Sequence, residues 1–589
     1  MKRQPEPDDF PLASVLIANR GEIAVRVLRS AREMGLRTIA VYSELDRDAL
    51  HVRLADEAWN IGPAPAAESY LNIDRIMAVA VEARADAIHP GYGFLSENAD
   101  FARAVSMAGI AWVGPPPEAI ATMGDKISSR RAAQAAGAPT VPGTTEPLDS
   151  VEQIKEVAAS YGYPVAIKAA HGGGGKGLRV VQNEGEVAEA FEGARREAAA
   201  YFGNAEVYVE KYITRPRHVE AQILLDDHGN ELFLGERDCS VQRRHQKLIE
   251  ETPSPSMDDD QRTRFGEAAL AVARACGYRN AGTVEFLLDQ EGEFYFLEMN
   301  TRLQVEHTVT EMVTGIDLVR EQLRIAAGLP MSTTDAQVRG HAIEFRINAE
   351  DPARDFMPTP GQITEYHEPA GFGIRVDGWV DASTTVSQYY DNLVAKLVVW
   401  GRDRAEAIQR GKRALGEYEI HGIASTIPAH LAVLSHPDFT ENRHHTKWIE
   451  TDVDLSSSEP IAAEALPEEE DVVRRQMTVE IGGRRFQVAF WAPEVRADAA
   501  GSPRRKRPRL ERSSGAGAND GIVSAPMQGT IVKVAVRAGD SVNAGDAICV
   551  LEAMKMENEV KSPVSGEVVD LRVQPGDTVA SGDTIAIVK

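Results

Sequence analysis

Apolar and polar positions change period along this chain, and the changes mark its elements. Residues 14–18 (Ser-Val-Leu-Ile-Ala) are a continuous apolar run, as in a buried strand. Asn19-Arg20-Gly21 turns that strand into an amphipathic helix over about 22–34, and residues 38–42 return as a strand. Strand–helix–strand predicts a parallel sheet. Residues 86–98 read as a strand running into a loop with Gly91 and Gly93. Such a loop lies where open α/β sheets bind ligands, and a structural turn fits the residues as well.

Gly124-Asp125-Lys126 opens a helix at about 127. Residues 163–170 form a strand carrying Lys168, which runs into five glycines within six residues, Gly172 to Gly175 and Gly177, around Lys176. A strand follows rather than a helix, so this is no Walker loop. The pattern predicts a flap whose backbone N–H groups approach phosphate, with Lys126 and Lys168 adding charge; a flexible turn is the plainer alternative. Residues 206–213 form another strand, whose exit could edge a nucleotide base. His218 to Gln222 and Glu236 to Lys247 are dense in polar groups within strand patterns. Buried polar groups need partners, so these runs are either a site or a surface stripe. Cys239 fits a small buried residue better than a nucleophile.

Residues 283–288 and 293–300 read as a hairpin. A four-residue loop would pair Leu288 with Glu293 and Glu285 with Phe296, leaving Glu285 and Glu298 diagonally adjacent on one face, with Asn300 further along it. Two carboxylates and an amide suit Mg²⁺, and the carboxylates repel unless a cation sits between them. Outward acids on an edge hairpin are the alternative. In residues 301–307, Arg302, Gln304 and Glu306 alternate along an expected extended segment and could share a face. A guanidinium, an amide and a carboxylate there suit a small oxyanion and its base. Arg346 lies on a strand within 340–351, inward-facing or in a structural ion pair.

The C-terminal stretch repeats itself. Gly529/Gly566, Gly539/Gly576 and Gly545/Gly582 are each 37 residues apart, which marks a duplicated unit. Each half alternates apolar and polar residues between Gly-Asp turns, predicting a pseudo-twofold β-sandwich. Ala553-Met554-Lys555-Met556 falls between the halves, with Lys555 at an exposed turn. Upstream, residues 452–471 are expected to be disordered. Residues 476–491 alternate as a short hairpin around Gly482-Gly483, and residues 503–509 are a basic run that reads as solvated linker. Residues 513–520 form a flexible tether. A coil of roughly 70 linker residues would reach about 45 Å, enough for the lysine to visit two sites.

The length, 589 residues, implies several domains, and 43% hydrophobic residues supply ordinary cores. A formal charge of −25 disfavours general affinity for nucleic acid. Three scattered cysteines give neither a disulfide framework nor a zinc pattern. The first ten residues lack a signal-peptide core, and no apolar run approaches the ~18 residues of a membrane span. A cytoplasmic protein is expected.

Ala-Met-Lys-Met at 553–556 within the repeat closely resembles the biotinyl domain of biotin carboxyl carrier proteins; a lipoyl domain shares the architecture but usually lacks the paired methionines. Glu-Met-Asn-Thr-Arg-Leu-Gln-Val-Glu-His at 298–307 and Gln-Arg-Arg-His-Gln-Lys at 242–247 resemble the biotin carboxylase component of acyl-CoA carboxylases, an ATP-grasp enzyme, over about 14–450. The resemblance implies an α/β and α+β multidomain chain. It has an N-terminal extension (1–13) and a Rossmann-like domain (14–124). An ATP-grasp domain (125–330) follows, with a lid at about 141–212. Next come a biotin carboxylase C-terminal domain (331–450), a linker (451–521) and an all-β biotinyl sandwich (522–589).

The resemblance assigns biotinylation to Lys555. It assigns ATP to Lys126, Lys168, Gly173, Gly174, Gly175, Lys176, Gly177, Glu210, Lys211, Ile213, His218, Gln242, His245 and Leu287. Mg²⁺ (or Mn²⁺) goes to Glu285, Glu298 and Asn300. Bicarbonate goes to Lys247, Arg302, Gln304 and Val305, the base role to Glu306, and the biotin enolate to Arg346. His171 and Lys176 stand where many relatives have glycine and arginine, and lysine lacks arginine's fork. The expected function is ATP-dependent carboxylation of biotin from bicarbonate, as the α-subunit of an acetyl- or propionyl-CoA type carboxylase. A biotin protein ligase, a separate carboxyltransferase β-subunit and an oligomeric holoenzyme are implied. A pyruvate carboxylase subunit and a non-enzymatic carrier are the alternatives.

Overall fold

The computed structural model describes residues 10–144, 146–169, 178–202, 205–455, 472–481, 484–493, 521–526, 529–553, 556–579 and 582–589. His171, Gly173, Gly174, Gly175, Lys176, Gly177, Gly482, Gly483, Met554 and Lys555 lie outside them, as do residues 456–471, the basic run and the tether. Residues 452–455, expected to be disordered, are instead described, with Asp452 N bonded to Trp448 O and Leu455 buried. The chain divides into two compact units, residues 1–460 and 461–589.

The first unit opens with β1 (Ser14–Ile17), α1 (Gly21–Glu33), β2 (Arg37–Ser43), β3 (Glu57–Gly62), β4 (Ala87–His89) and β5 (Ala111–Trp112). Their order is β3-β2-β1-β4-β5, every pair parallel, as the apolar runs predict. Val15, Leu16, Ile39, Val41 and Ile88 are fully buried because helices cover both faces of such a sheet.

After α2 (Lys126–Ala135), β6 (Val165–Ala169) pairs antiparallel with β7 (Leu178–Val181) and β8 (Val207–Lys211). The glycine run therefore joins two paired strands.

The chemistry-bearing residues lie on one long antiparallel sheet. Its strands are β9 (Arg217–Leu225), β10 (Glu231–Arg243), β11 (Gln246–Thr252), β12 (Asn280–Leu288), β13 (Phe294–Asn300) and β14 (His341–Asn348). α3 (His307–Thr314) leaves the end of β13. A small ribbon strand, β15 (Glu365–His367), precedes β16 (Ile374–Gly378) and β17 (Leu393–Gly401), and its partner β18 (Glu419–His421) follows them. The large sheet runs β13-β12-β9-β10-β11-β14-β17-β16. One side of it packs Val219, Ala221, Val284 and Phe286 against a helix carrying Phe265 and Ala269.

The second unit holds the hairpin β19 (Val472–Ile481) and β20 (Arg484–Pro493), longer than the expected 476–491, with Val479 opposite Phe486. A sandwich follows: β21 (Ile522–Ser524), β22 (Gly529–Val534), β23 (Ser541–Val542), β24 (Ala547–Ala553), β25 (Met556–Lys561), β26 (Gly566–Leu571), β27 (Thr578–Val579) and β28 (Thr584–Val588). Its two four-stranded sheets are ordered β21-β28-β26-β23 and β25-β24-β22-β27. Each half lends a short strand to the other: β23 pairs with β26, and β27 with β22. The duplication extends to the turns. Gly539 and Gly576 have φ of 95° and 97°, and Asp540 and Asp577 accept the backbone N–H three residues back. Ile531, Ile548, Leu551, Val568, Ile585 and Val588 form the buried centre.

Candidate active site

Strand alternation builds the site. Glu298 on β13, Glu285 on β12, Glu220 on β9 and Arg237 on β10 are successive cross-strand neighbours, forming a row across four strands. Three carboxylates side by side are unfavourable without cations. Arg237, fully buried, donates to Glu220 (2.6 Å), Gln222 (2.6 Å), Thr310 (3.0 Å), Thr283 (3.1 Å) and Gln304 (2.7 Å). Lys247 supplies the second cation. Its Nζ donates to Glu220 (2.6 Å), Glu285 (3.1 Å) and Glu306 (2.6 Å). Glu285 also takes N–H donors from Asn300 (2.9 Å) and Gln304 (2.7 Å), and His218 Nε2 lies 3.1 Å from its other oxygen.

The ionisation states follow. Burial opposes charge on Glu220, Glu285 and Glu306. Lys247 nevertheless holds all three below the ordinary carboxylate range, helped by Arg237 at Glu220, His218 at Glu285 and Arg346 at Glu306. Burial would lower His218, but Glu285 raises it to about 9. Glu298 behaves differently. Desolvation, then the charge of Glu285, lifts its carboxyl above the ordinary range. Among the described residues no hydrogen-bond donor meets it. An exposed carboxyl set directly opposite the Glu285 carboxylate fits a hard cation held by Glu285, Glu298 and the Asn300 carbonyl oxygen.

The expected register is corrected here. Glu285 stands directly opposite Glu298 rather than diagonal to it. Asp289 caps the turn, accepting from Glu291 N and Glu293 N, and Leu288 pairs with Phe294. A bulge between Glu285 and Phe286 then shifts the ladder once more. The segment after β13 is corrected too. It is a loop turning into α3, because Gln304 O accepts both N and Nδ1 of His307. Glu306 is the N-cap residue of α3, buried, with no side-chain cap bond, which leaves its carboxylate for Lys247 and Arg346.

Arg346 on β14 donates Nε to Glu250 (2.6 Å) and a terminal nitrogen to Glu306 (2.9 Å). Burial raises Glu250 to about 8, with Arg346 opposing and Glu344 and Glu306 adding to the rise. Arg302 donates to Glu97 (2.9 Å) and Asn300 (2.8 Å), so the loop after β4 reaches this site. Val305 O accepts from the buried Lys396 (3.0 Å), which also pairs with Glu22 (3.3 Å).

A second cation group lies by β6 and β8. Lys168 donates to Glu210 (2.5 Å), and Arg130 on α2 pairs with the same carboxylate. Desolvation, then the charges of Lys126 and Arg130, lowers Lys168 to about 8. Cations that suppress one another's charge suit a polyanion such as a triphosphate. Lys211 and Ile213 lie at the exit of β8. Leu287 pairs with His218 across the sheet. Gln242 is buried, donates to Cys239 O (3.0 Å) and pairs with Lys247, and His245 occupies the exposed β10–β11 turn with φ 67°. The gathering thus includes Lys247, Glu285, Glu298, Asn300, Arg302, Gln304, Glu306, Arg346 and His218. The residues alone did not single out Glu97, Glu220, Arg237, Glu250 and Lys396. The period-two run His218, Glu220, Gln222 was the available signal for Glu220.

Family models match most of the chain, residues 452–521 excepted. They are the biotin carboxylase N-terminal domain (11–120), the carbamoyl-phosphate synthase L chain ATP-binding domain (125–334), the biotin carboxylase C-terminal domain (344–451) and the biotin-requiring enzyme domain (522–588). A biotin carboxylase from Nostoc is 55% identical over 438 residues, covering 74% of this chain and 98% of its own. The biotin carboxylase domain dimer of Hydrogenobacter thermophilus 2-oxoglutarate carboxylase, solved with MgADP, ADP and bicarbonate, superimposes with a TM-score of 0.70 at 46% identity. It covers 74% of this chain and 97% of that one. Fold and site define an ATP-grasp biotin carboxylase carrying its own biotinyl domain. The biotin-dependent acyl-coenzyme A carboxylase alpha3 subunit of Mycobacterium leprae is 48% identical over 561 residues, 93% of this chain and 94% of that one. The chain belongs to that family of α-subunits, ligases that use ATP and biotin. Among the described residues no helix is long and apolar enough to cross a membrane.

Proposed function

We propose that the chain carboxylates biotin on its own Lys555 and, as the α-subunit of an acetyl- or propionyl-CoA type carboxylase, passes the carboxyl group to a separate carboxyltransferase β-subunit. The observation that carries the catalytic assignment is the Lys247 bridge to Glu220, Glu285 and Glu306, closed by Arg346 on Glu306.

Glu306, held ionised, is the base that takes the bicarbonate proton; Lys247, Arg302, Gln304 and the Val305 backbone orient the anion. Deprotonated bicarbonate attacks the γ-phosphorus of ATP, and the bond to the ADP oxygen breaks. Lys126, Lys168 and the glycine run with Lys176 offset charge on the transferring phosphoryl group. His218, Gln242, His245, Leu287, Glu210, Lys211 and Ile213 hold the nucleotide. Glu285, Glu298 and Asn300 would hold Mg²⁺ (or Mn²⁺), which supplies charge neutralisation between phosphates. The carboxyphosphate so formed breaks its carbon–oxygen bond to phosphate, giving CO₂ and inorganic phosphate. Biotin, when attached, would supply the ureido nitrogen that takes up the CO₂ carbon, its N–H proton passing to the departing phosphate. Arg346, tied to Glu250 and Glu306, places a cation where negative charge develops. A biotin protein ligase modifies Lys555, and the holoenzyme is an oligomer in the cytoplasm. The M. leprae relative's name, with coverage through the carrier, supports the acyl-CoA assignment.

The test has two stages. The purified chain should cleave ATP only when bicarbonate and free biotin are both present. With its β-partner, it should then carboxylate acetyl- or propionyl-CoA. ATP cleavage indifferent to biotin, or turnover with pyruvate instead of thioesters, would overturn the reading.

A further inference from the structure

The ribbon β15–β18 lies outside the machinery described above and carries an unusual donor set. Its register pairs Glu365 with His421, Tyr366 with Ile420, and His367 with Glu419. Strand alternation therefore puts Glu365, His367, Glu419 and His421 on one face. The other face is anchored: Ile420 is buried, and the hydroxyls of Tyr366 and Tyr418 hydrogen-bond at 2.7 Å. The backbone under the four side chains is thus fixed, while Glu365, His367 and Glu419 are exposed.

His367 Nδ1 lies 3.3 Å from Glu419 Oε2 and 3.7 Å from Glu365 Oε1, and His421 Nε2 lies 3.7 Å from the other oxygen of Glu365. One ligand atom from each of Glu365, His367 and Glu419 falls within a common 4.8 Å. A tetrahedral Zn²⁺ with bonds of about 2.0–2.2 Å separates its ligands by roughly 3.3–3.6 Å. The two spacings from His367 need little adjustment to meet that, and the two carboxylate oxygens lie within 4.8 Å of each other. Among the described residues, the ion-pair partners of Glu365 and Glu419 are these two imidazoles, with no lysine or arginine. Nearby Glu368 is occupied by the Tyr366 hydroxyl (2.9 Å) and Glu417 by Arg413 (2.5 Å).

We propose that Glu365, His367 and Glu419 form a surface site for a divalent first-row transition ion of the Zn²⁺ class, with His421 orienting the Glu365 carboxylate. Imidazole with carboxylates selects such ions over Mg²⁺, so this site is distinct in chemistry from the all-oxygen set at Glu285, Glu298 and Asn300. His421 Nε2, 3.7 Å from the far oxygen of Glu365, is close enough to become its outer partner after a small ring movement, the role that fixes ligating carboxylates. A bound ion would clamp β15 to β18, which are more than 50 residues apart in the chain.

The experiment uses the full chain, stripped with chelator and held in excess Mg²⁺, with Zn²⁺ measured by equilibrium dialysis. H367A and E419Q should each lose one Zn²⁺ equivalent that the unaltered chain binds, and H421Q should weaken that equivalent about 10-fold. Co²⁺ should give a visible absorption band that H367A abolishes. Biotin-dependent ATP cleavage should be unchanged in H367A, which also reports that the variant folds. Equal Zn²⁺ binding by the unaltered chain and H367A would overturn the proposal, as would loss of the equivalent in E285Q with retention in H367A.

Discussion

The long catalytic sheet and the carrier sandwich are both antiparallel β structures, yet they spend their residues oppositely. Around the sheet, buried positions on its strands (Glu220, Arg237, Glu285) and on the loop leading into α3 (Gln304, Glu306) are polar, each satisfied by a partner from another strand or loop. In the carrier, the centre is apolar and its Asp540 and Asp577 side-chain bonds close turns locally. One region concentrates charge where a reaction needs a water-poor, pre-arranged field. The other only has to display a single amine, so its fold can be an inexpensive repeat. The difference teaches that the two activities should separate cleanly by mutation.

The largest expected effect is K555R. It should abolish streptavidin-reactive modification and all transfer through the chain's own carrier, while ATP cleavage stimulated by free biotin stays within twofold. Coupled loss of both would break the contrast. Next, E306Q should lower biotin-dependent ATP cleavage by about 10²–10⁴-fold while Lys555 remains modified, as read by intact mass. Retained turnover would remove Glu306 as the base. A pH series sharpens the electrostatic half. Lys168, depressed to about 8, is charged below that value and loses its proton as pH rises through it. kcat/KM for ATP should therefore fall above pH about 8, by up to tenfold per unit, and K168R should flatten the decline. The smallest effect belongs to the carrier. Gly576 has φ of 97°, so Gly576→Ala should destabilise the second unit by about 1–2 kcal/mol in denaturant melts without touching ATP cleavage.

The carrier was the more legible of the two regions. A 37-residue duplication states the fold twice, and the turn glycines carry the positive φ that their spacing implies. The first parallel sheet was equally open to reading, since apolar runs and one amphipathic helix suffice. At the catalytic sheet, residue types were readable but their pairing was not. Glu285 and Glu298 were visible as a pair. The Asp289 cap and the bulge that set them face to face depend on local hydrogen bonds rather than on alternation. Arg237 was hidden for a different reason. Its five acceptors and partners come from Glu220, Gln222, Thr283, Gln304 and Thr310, and only the tertiary fold assembles them.

The exchange of short strands between the carrier's halves has a consequence for synthesis on the ribosome. Ile522–Ser524, the first strand of the sandwich, pairs with Thr584–Val588, the last. Neither half closes its own sheet, since Ser541–Val542 and Thr578–Val579 each complete the opposite one. A nascent chain that stops short of residue 584 therefore has no finished module to offer for modification. Covalent marking of the lysine then follows closure of the sandwich, once Thr584–Val588 has paired with Ile522–Ser524.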